Sequence, residues 1–374
     1  MSKRPYDDMA NRLPFDLPPP SVRPFDAYVC GASDADVNRV RVTVNRIIFG
    51  SDRVRRNDFP GPLPATVGRC HLQQFARVKY WVTEKSDGER RFLLILPDAT
   101  FLIDRKWSVL KVTSSFYQDT CRADLPVLLD GELMNPEGTH ALYLAYDCMN
   151  LGARRLTDAP FSERIAAFEK VAERYRTAVP DDDLSAHDHP FRIASKFFVP
   201  QVEIVRILHK IHPHMGSYRF VDLKRRRVNK NDGLIFVADV DKYRPEKPTT
   251  LMKWKWPDKN SVDFIVRAPF FNDRGELELR CGSYHNQDMV VRRITVDNGT
   301  RTQFLSWVQG RNDLVIECVY DRQGGVWRLC HPRYDKHKAN FVTVVIQTME
   351  SLIDNVTKDD LSRACQHYRE PAAA

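Results

Sequence analysis

Short apolar runs separated by turn-forming residues dominate the middle of the chain. The runs at 78–82 and 91–96 combine β-branched and aromatic residues in the manner of buried strands. Comparable runs recur at 101–106, 125–133 and 143–149. The alternation of apolar and polar positions at 37–49 is also typical of a strand. The pattern therefore predicts a domain built largely from sheets.

Longer periodic segments predict helices beside these strands. Apolar residues recur at helical spacing in 161–178, directly after Pro160, and a second helical pattern covers 202–211. We therefore expect the fold class to be α+β, with antiparallel sheets and flanking helices in the larger domain.

The texture of the chain changes after residue 260. Short strands follow with turns about every eight to twelve residues, which is typical of a small β-barrel. These strands are expected at 277–281, 289–295, 314–320 and 326–330, and a helix at 341–355. The proline-rich start predicts an extended arm. The expected domains are an arm at 1–25, a first domain at 26–259, a barrel at 260–340, and a C-terminal helix within 341–374 that packs back on the first domain.

One polar stretch lies between the first two predicted strands. Lys85, Asp87, Gly88 and Arg90 fall within six residues, in a turn between two buried runs. A low-dielectric setting and a nearby cation disfavour a protonated lysine, and the free amine is a nucleophile for phosphorus or carbonyl carbon. Gly88 lets a ligand approach the backbone, and Arg90 can bind phosphate or ribose oxygens. Taken alone, a hairpin turn with a solvated lysine is the alternative.

Three further polar motifs interrupt apolar runs. Asp-Gly-Glu at 130–132 ends a strand and has carboxylates for a divalent metal or a ribose hydroxyl, with a simple turn as an equal alternative. Asn-Asp-Gly at 231–233 is a turn into another strand. Lys253 and Lys255 alternate with tryptophans, so a strand would put both on one face. Like charges on one face cost stability, which favours a polyanionic ligand there.

Composition and charge refine this picture. The 374 residues carry a formal net charge of +8 with a pI of about 9.0, which favours a polyanionic partner, although a merely basic protein is the alternative. No apolar run approaches the roughly twenty residues of a membrane span, and the N-terminus lacks the apolar core of a signal peptide. Eight scattered cysteines without a CxxC pair favour a reducing compartment.

Two basic segments allow several interpretations. Residues 223–230 form a dense basic run, which suits a nuclear import signal, a phosphate-contacting track or a solvated charged face. His209, His212 and His214 follow a predicted helix without an acid or cysteine at ligand spacing, so a polar helix end is favoured over a metal site.

In their order along the chain, the motifs resemble those of the covalent nucleotidyltransferase superfamily, and within it the mRNA capping enzyme guanylyltransferases. KSDGER at 85–90 resembles the nucleophile motif, and FPGP at 59–62 matches the lead-in typical of capping enzymes. The chain also contains segments similar to the family's later motifs. They are FLIDR at 101–105, LLDGEL at 128–133, YLAYDCMNL at 143–151 (similar to the segment that stacks the purine), NDGLIF at 231–236, LMKWKW with NSVDF at 251–264, and RYDKHKAN at 333–340. The resemblance covers about residues 55 to 345.

The resemblance implies a reaction and a role for each motif. Lys85 would attack the α-phosphorus of GTP, release pyrophosphate and form a lysine–GMP phosphoramidate. The 5′-diphosphate end of an RNA would then accept the GMP. Asp232 and Glu132 would hold Mg²⁺ or Mn²⁺, and Glu132 would also bind ribose hydroxyls. The remaining GTP-binding residues would be Arg90, Arg105, Lys253, Lys255, Arg333, Asp335 and Lys336, the last three on an OB-fold barrel that acts as a lid.

The sequence also departs from the family pattern and leaves two alternatives. The first basic position of the last motif is His331, and the metal acid is the shorter Asp232. An ATP-dependent polynucleotide ligase is the nearest alternative, and an inactive nucleic-acid-binding homologue is the other. The sequence contains no HCX5R pattern and no glycine-rich methyltransferase segment after residue 345. We therefore expect a separate RNA 5′-triphosphatase and cap methyltransferase. The resemblance also implies a nuclear location, with a cytoplasmic one as the alternative for a viral or parasite enzyme, and no membrane. Docking on the phosphorylated RNA polymerase II tail is left open by the sequence.

Overall fold

The structure is a computed structural model that describes residues 25–51, 59–134, 141–179, 189–225, 227–245, 250–284 and 287–369. The predicted arm at 1–25 lies outside these residues except for Phe25. In chain order the helices are α1 (Asp34–Phe49), α2 (Leu72–Phe75), α3 (Phe116–Thr120), α4 (Phe161–Ala178), α5 (Ile204–Leu208), α6 (Asn298–Val308), α7 (Val342–Asp354) and α8 (Lys358–Gln366).

The first ten strands are β1 (Val29–Gly31), β2 (Ala65–Thr66), β3 (Tyr80–Ser86), β4 (Glu89–Ile95), β5 (Thr100–Asp104), β6 (Val109–Val112), β7 (Val127–Met134), β8 (Ala141–Leu151), β9 (Arg154–Arg155) and β10 (Phe191–Ser195). The others are β11 (Val199–Pro200), β12 (Ile211–His214), β13 (Ser217–Asp222), β14 (Arg227–Ala238), β15 (Met252–Lys255), β16 (Ser261–Arg267), β17 (Glu276–Gly282), β18 (Asp288–Thr295), β19 (Asp313–Asp321) and β20 (Val326–Pro332).

These strands form three sheets. The first has the order β1-β6-β5-β4-β7-β8-β10, with β9 beside β8. The second has the order β11-β3-β14-β13-β12, and β15 joins it through β14 and β2. The third has the order β18-β17-β16-β19-β20. Strands β8 and β10 run parallel, whereas the described registers of the other ladders are antiparallel. The predicted α+β class is therefore confirmed, while closure of the third sheet into an OB-fold barrel stays a prediction.

The chain divides into two compact units. The first comprises Met1–Ala65, Phe75–Lys253 and Ala364–Ala374, and the second comprises Thr66–Gln74 and Trp254–Arg363. Val345 of α7 is buried in the core of the second unit, with Val342 and Met349 packed against that core. The chain end at Ala364–Ala374 belongs to the first unit, and the packing of the C-terminal helix on the first domain stays a prediction. The domain limits at 26–259 and 260–340 stay predictions.

The first sheet buries both of its faces. Along β4, Leu93 and Ile95 pack into the core that includes α4, whereas Phe92 and Leu94 pack into the core that includes α1. This alternation follows from the two-residue period of a strand. Strand β4 is therefore buried on both faces from Phe92 to Ile95, and its polar side chains lie at its N-terminal end.

Residues 37–49 form helix α1, so the prediction of a strand there is wrong. Val40, Val44, Ile47 and Ile48 are its buried apolar residues, and their spacing gives one helical stripe. The Ser33 side chain caps the N-terminus by accepting from the Asp36 N–H at 3.2 Å. Burial of this stripe and the cap outweigh the strand preference of the β-branched residues.

Other predicted elements agree more closely with the structure. The helix predicted at 161–178 and the four short strands expected after residue 260 are confirmed. The helix predicted at 202–211 is shorter, because Ile211 already begins β12. Among the described residues, the helices lack the length and apolar character needed to cross a lipid bilayer. All eight cysteines are free thiols.

Candidate active site around Lys85

Lys85 lies inside β3, and not in a turn as the sequence predicts. Strand β3 pairs with β11 and β14 in the second sheet, whereas β4 pairs with β5 and β7 in the first. The alternative of a hairpin is thereby excluded, because β3 and β4 belong to different sheets. The chain crosses between the sheets at Asp87 and Gly88, directly after the lysine strand.

The Lys85 ammonium donates to Asp232 on the neighbouring strand. The distance from Nζ to Oδ2 is 2.9 Å, and both side chains are roughly a quarter exposed, at 24% and 30%. Asp232 lies at a register shift of β14 between Asn231 and Gly233, so it belongs to the strand and not to a turn before it. A bulge of this kind changes the direction in which a side chain points. Gly233 has a positive φ of 137°, a backbone conformation that glycine adopts more readily than other residues. The pair is therefore accessible to a ligand.

A buried charge network lies behind the lysine strand, and the sequence analysis did not anticipate it. Glu84 forms an ion pair with Arg227 of β14, and both side chains are almost fully buried. Ser86 Oγ donates to Glu84 Oε1 at 2.7 Å, and Arg227 Nε donates to Asn229 Oδ1 at 2.8 Å. Glu84 and Ser86 flank Lys85 and point into this network, so Lys85 points to the opposite face of β3. The network fixes the strand that carries the lysine.

Arg90 is held within the protein by a carboxylate. Its guanidinium donates to both oxygens of Asp130, at 3.0 and 2.5 Å, and to the Pro62 carbonyl at 2.7 Å. Burial alone would lower the pKa of Arg90, but the Asp130 carboxylate holds that pKa well above its ordinary value. Phe59 stacks under the guanidinium at 5.1 Å. The lead-in segment at 59–62 thus packs on Arg90, and the binding of a nucleotide by Arg90 stays a prediction.

The two carboxylates of the motif at 130–132 differ in their partners, and both lie within β7 and not at its end. Asp130 is buried and accepts from Arg90, from Tyr146 Oη at 2.8 Å and from Tyr243 Oη at 2.7 Å. Glu132 is half-buried, and its Oε1 accepts from the Gly88 N–H at 3.2 Å. Asp130 is therefore a structural acceptor, whereas Glu132 faces the crossing point beside Lys85.

Lys196, just after β10, is a buried cation that the sequence analysis missed. Its side chain is 3% exposed, its Nζ lies 5.3 Å from the centre of the Tyr146 ring, and it donates to the Glu84 carbonyl at 3.4 Å. Burial lowers the pKa of Lys196 to about 8, the Glu132 carboxylate opposes this effect, and the charge of Lys85 adds to it. Lys196 therefore belongs to the same electrostatic cluster. The signal in the sequence is a lone lysine inside the apolar stretch at 191–199.

The remaining predicted nucleotide-binding cations of the first domain lie on strand β15 and in the turn after β5. Met252 and Trp254 of β15 are buried, while Lys253 and Lys255 are half-buried on its other face, as the alternation predicts. The boundary between the two units falls inside this strand, after Lys253. Arg105 is exposed in the turn that follows β5, where Asp104 Oδ1 accepts from two backbone N–H groups at 2.8 Å.

The last motif forms a compact charge cluster within the second unit. Arg333 donates to both oxygens of Asp335 at 3.0 and 2.8 Å, and its Nη1 lies 3.3 Å from carboxylate oxygens of Asp263 and Glu317. Lys336 also pairs with Asp263. The hydrogen bonds from Arg333 lower the pKa of Asp335 to about 2. His331 Nε2 lies 3.3 Å from Glu317 Oε2, so this histidine shares a carboxylate with Arg333.

The predicted metal ligands can be tested against their surroundings. Asp232 and Glu132 supply carboxylate oxygens on accessible strand segments, and three or more His, Cys, Asp or Glu side chains do not gather at one point anywhere in the described residues. Mg²⁺ is usually bound by one or two carboxylates together with substrate phosphates and water. Carboxylates of this kind suit a metal that arrives with a nucleotide, and metal binding by Asp232 and Glu132 stays a prediction.

A partly exposed amine inside a strand, with carboxylates and other cations on nearby strands, suits a nucleotidyltransferase, an enzyme that handles a phosphorylated nucleotide. The family model described as mRNA capping enzyme, catalytic domain, matches residues 29–257, and the model described as mRNA capping enzyme, C-terminal domain, matches 259–362. The chain belongs to the mRNA capping enzyme family. As a member of that family it acts on nucleotide and RNA substrates.

Individual relatives agree with this assignment. The mRNA-capping enzyme subunit alpha of Schizosaccharomyces pombe is 26% identical over 337 residues, covering 83% of this chain and 81% of that protein. The same subunit of Saccharomyces cerevisiae is 25% identical, covering 81% and 77%. The mRNA-capping enzyme of Danio rerio is 24% identical, covering 82% of this chain and 49% of that protein. Among solved structures, a mycobacterial DNA ligase D complexed with ATP and MES matches at 16% identity, covering 74% of this chain and 96% of that one, with a TM-score of 0.36.

Proposed function

We propose that the enzyme transfers GMP from GTP to the 5′-diphosphate end of RNA through a covalent lysine–GMP intermediate on Lys85. The observation that carries the proposal is the position of Lys85, which lies on a rigid strand with its amine 2.9 Å from Asp232 Oδ2 and open to a ligand. A nucleophile needs this combination of fixed backbone and accessible side chain.

The first half-reaction consumes GTP. The ammonium of Lys85 loses a proton, and Asp232 Oδ2, which accepts its hydrogen bond, is positioned to receive it. The nitrogen then attacks the α-phosphorus, the N–P bond forms, and the bond from the α-phosphorus to the bridging oxygen breaks as pyrophosphate leaves. Negative charge on the phosphoryl oxygens is stabilised by cations, for which Lys253 and Lys255 are our candidates.

The second half-reaction reverses the role of the lysine. A terminal oxygen of the RNA 5′-diphosphate attacks the same phosphorus, the N–P bond breaks, and the Lys85 nitrogen recovers a proton. The product is a GpppN cap. Mg²⁺ or Mn²⁺ held by Asp232 and Glu132 would supply charge neutralisation at the phosphates when bound.

The remaining residues support nucleotide binding in this proposal. Arg105 is exposed and free to bind ribose or phosphate oxygens, and Glu132 can accept from ribose hydroxyls. Arg90, ion-paired with Asp130, would act chiefly by holding β4 and β7 together. Arg333, Asp335 and Lys336 would orient the leaving pyrophosphate. We further propose a nuclear enzyme that works beside a separate RNA 5′-triphosphatase and cap methyltransferase, with the phosphorylated polymerase tail as a docking partner.

The test is retention of radioactive label on the protein. Purified enzyme is incubated with Mg²⁺ and GTP labelled at the α-phosphate, and the products are separated on a denaturing gel. We expect label on the wild type and on Lys106→Ala, an exposed-lysine control, and no label on Lys85→Ala. Labelling from ATP in place of GTP would identify a polynucleotide ligase, and failure to label with either nucleotide would favour an inactive binding homologue.

A further inference from the structure

Three basic side chains form a row across the second sheet. His212 of β12 lies opposite Arg219 of β13, and Arg219 lies opposite Lys230 of β14. His212 and Lys230 are exposed, and Arg219 is half-buried. Their neighbours Ile211, Phe220, Asn229 and Asn231 are buried, so all three basic side chains point to the solvent face of the sheet. We call His212, Arg219 and Lys230 the basic row.

The basic row lies on the same face of the sheet as Lys85. Phe220 stacks under the Arg227 guanidinium at 4.8 Å, and Arg227 pairs with Glu84, so these residues mark the opposite, buried face. Lys85 alternates with Glu84 along β3, and Lys230 alternates with Asn229 along β14. The row therefore begins at β12, the edge strand of the sheet, and ends one strand away from the nucleophile.

This arrangement is unfavourable for the protein alone. Like charges directly opposite on neighbouring strands destabilise a sheet. Across the described residues, no carboxylate forms an ion pair with Arg219 or Lys230, whereas the nearby Lys210 pairs with Asp222 at 3.2 Å. Solvation alone does not explain why basic side chains occupy all three strands at one level. A bound polyanion that passes over the row does explain it.

We propose that the basic row binds the phosphate backbone of the acceptor RNA as its 5′ end approaches Lys85. This inference rests on the proposed function, because it concerns the substrate of the second half-reaction. An exposed row of basic side chains at successive strands suits a single-stranded, flexible polyanion, whose contacts are electrostatic and independent of sequence. Of the three interpretations of the basic run at 223–230, the position of Lys230 in the row favours the phosphate-contacting track.

The test compares a long and a short acceptor in the full chain. The variant Arg219→Gln/Lys230→Gln removes two charges of the row, and Arg122→Gln/Arg176→Gln removes two exposed charges elsewhere in the first unit. Each protein is first charged with labelled GMP. GMP transfer is then measured to a diphosphate-ended dinucleotide and to a diphosphate-ended RNA of about twenty nucleotides, over a range of salt concentrations.

We expect the row variant to raise the KM for the long RNA about tenfold at low salt and to leave kcat unchanged. The slope of log KM against log salt should fall by about 1.4, because each phosphate contact on a single strand contributes about 0.7. Lysine–GMP formation and transfer to the dinucleotide should match the wild type. The thermal stability of the row variant should equal or exceed that of the wild type, since a like-charge pair is removed.

Three outcomes would overturn the inference. The first is an unchanged KM for the long RNA in a row variant that still forms lysine–GMP. The second is an equal rise in KM for the matched control, which would indicate a net-charge effect. The third is weaker binding of a phosphorylated polymerase-tail peptide with no change in RNA transfer. If the wild type itself forms no lysine–GMP, the proposed function fails first, and that result is visible before any RNA is added.

Discussion

Single carboxylates in this enzyme have sharply different tasks, and Asp130 is the clearest case. It is 1% exposed and accepts from one arginine and two tyrosines, all in the first unit. A charged group that is removed from water is tolerated only when its partners are complete. Asp130 therefore ties β4, β7, β8 and the segment that carries Tyr243 to one another.

Replacing Asp130 by Asn should destabilise the first unit by about 3 to 5 kcal/mol, because the Arg90 guanidinium would stay buried without its countercharge. Urea unfolding followed by circular dichroism measures this loss. The matched control is Asp98→Asn, which breaks the exposed pair between Asp98 and Arg39 and should cost less than about 1 kcal/mol. Equal losses in both variants would contradict the role assigned to Asp130.

Sequence motifs point to candidate site residues, but they do not say which side chains pair with one another. The motif at 130–132 offers two carboxylates of similar chemistry, and local spacing does not say which of them forms the ion pair with Arg90. In the β4–β7 ladder Arg90 lies opposite Glu132, yet its side chain reaches diagonally to Asp130. That choice depends on tyrosines from β8 and from beyond β14, which are distant in sequence. Lys196 was not predicted for the same reason, because the groups around it, Glu84 and Glu132, are also distant in sequence.

At the scale of elements, the crossing from β3 to β4 decides where the nucleophile lies. A strand is confirmed near each of the predicted runs 78–82 and 91–96, although β3 begins only at Tyr80 and continues to Ser86. Local pattern cannot tell a hairpin from a crossing between two sheets. The difference lies in partners that come much later in the chain, β14 for one strand and β7 for the other. Residues 37–49 show the opposite case, in which a helical stripe was present in the sequence and β-branched composition obscured it.

Gly88 sits at this crossing, and its replacement should test the geometry. A Cβ there would meet the Leu133 carbonyl oxygen at 2.9 Å and Glu132 Cγ at 2.8 Å. Because the first contact is to backbone, Gly88→Ala must shift the crossing or β7, and with it the position of Lys85 relative to Glu132. We expect lysine–GMP formation to slow by about a hundredfold, in line with the cost of a misplacement of about 1 Å.

Single-turnover labelling with α-labelled GTP measures that rate. Gly31→Ala is the control, because a Cβ at Gly31 would meet no heavy atom within 4 Å. It should leave the rate unchanged. Full activity of Gly88→Ala would mean that the crossing tolerates a side chain and that its geometry does not position the nucleophile.

At the scale of the whole molecule, the proposed chemistry divides between the two units. The nucleophile, its aspartate and the basic row belong to the first unit, whereas Arg333, Asp335 and Lys336 belong to the second. The family models match the catalytic domain at 29–257 and the C-terminal domain at 259–362, and the grouping of the motifs into one site stays a prediction. The sequence did not predict that Arg333 would be held by carboxylates of its own unit, since Asp263 and Glu317 come from strands β16 and β19.

Those contacts give Arg333 a specific expected behaviour. To bind a triphosphate, its guanidinium must exchange carboxylate oxygens for phosphate oxygens, and the exchange is favourable only while pyrophosphate is present. Arg333→Ala should therefore slow lysine–GMP formation by about a hundredfold, within the range seen when one charge-stabilising donor is removed. Transfer of GMP from preformed lysine–GMP to RNA should change less than about threefold, because no pyrophosphate takes part.

Arg328→Ala, which removes an exposed arginine paired with Asp321 on the neighbouring strand, should affect neither step. The two half-reactions are measured separately, with isolated lysine–GMP enzyme as the starting point for the second. Equal losses in both would mean that Arg333 supports the fold of the second unit and does not act on the leaving group.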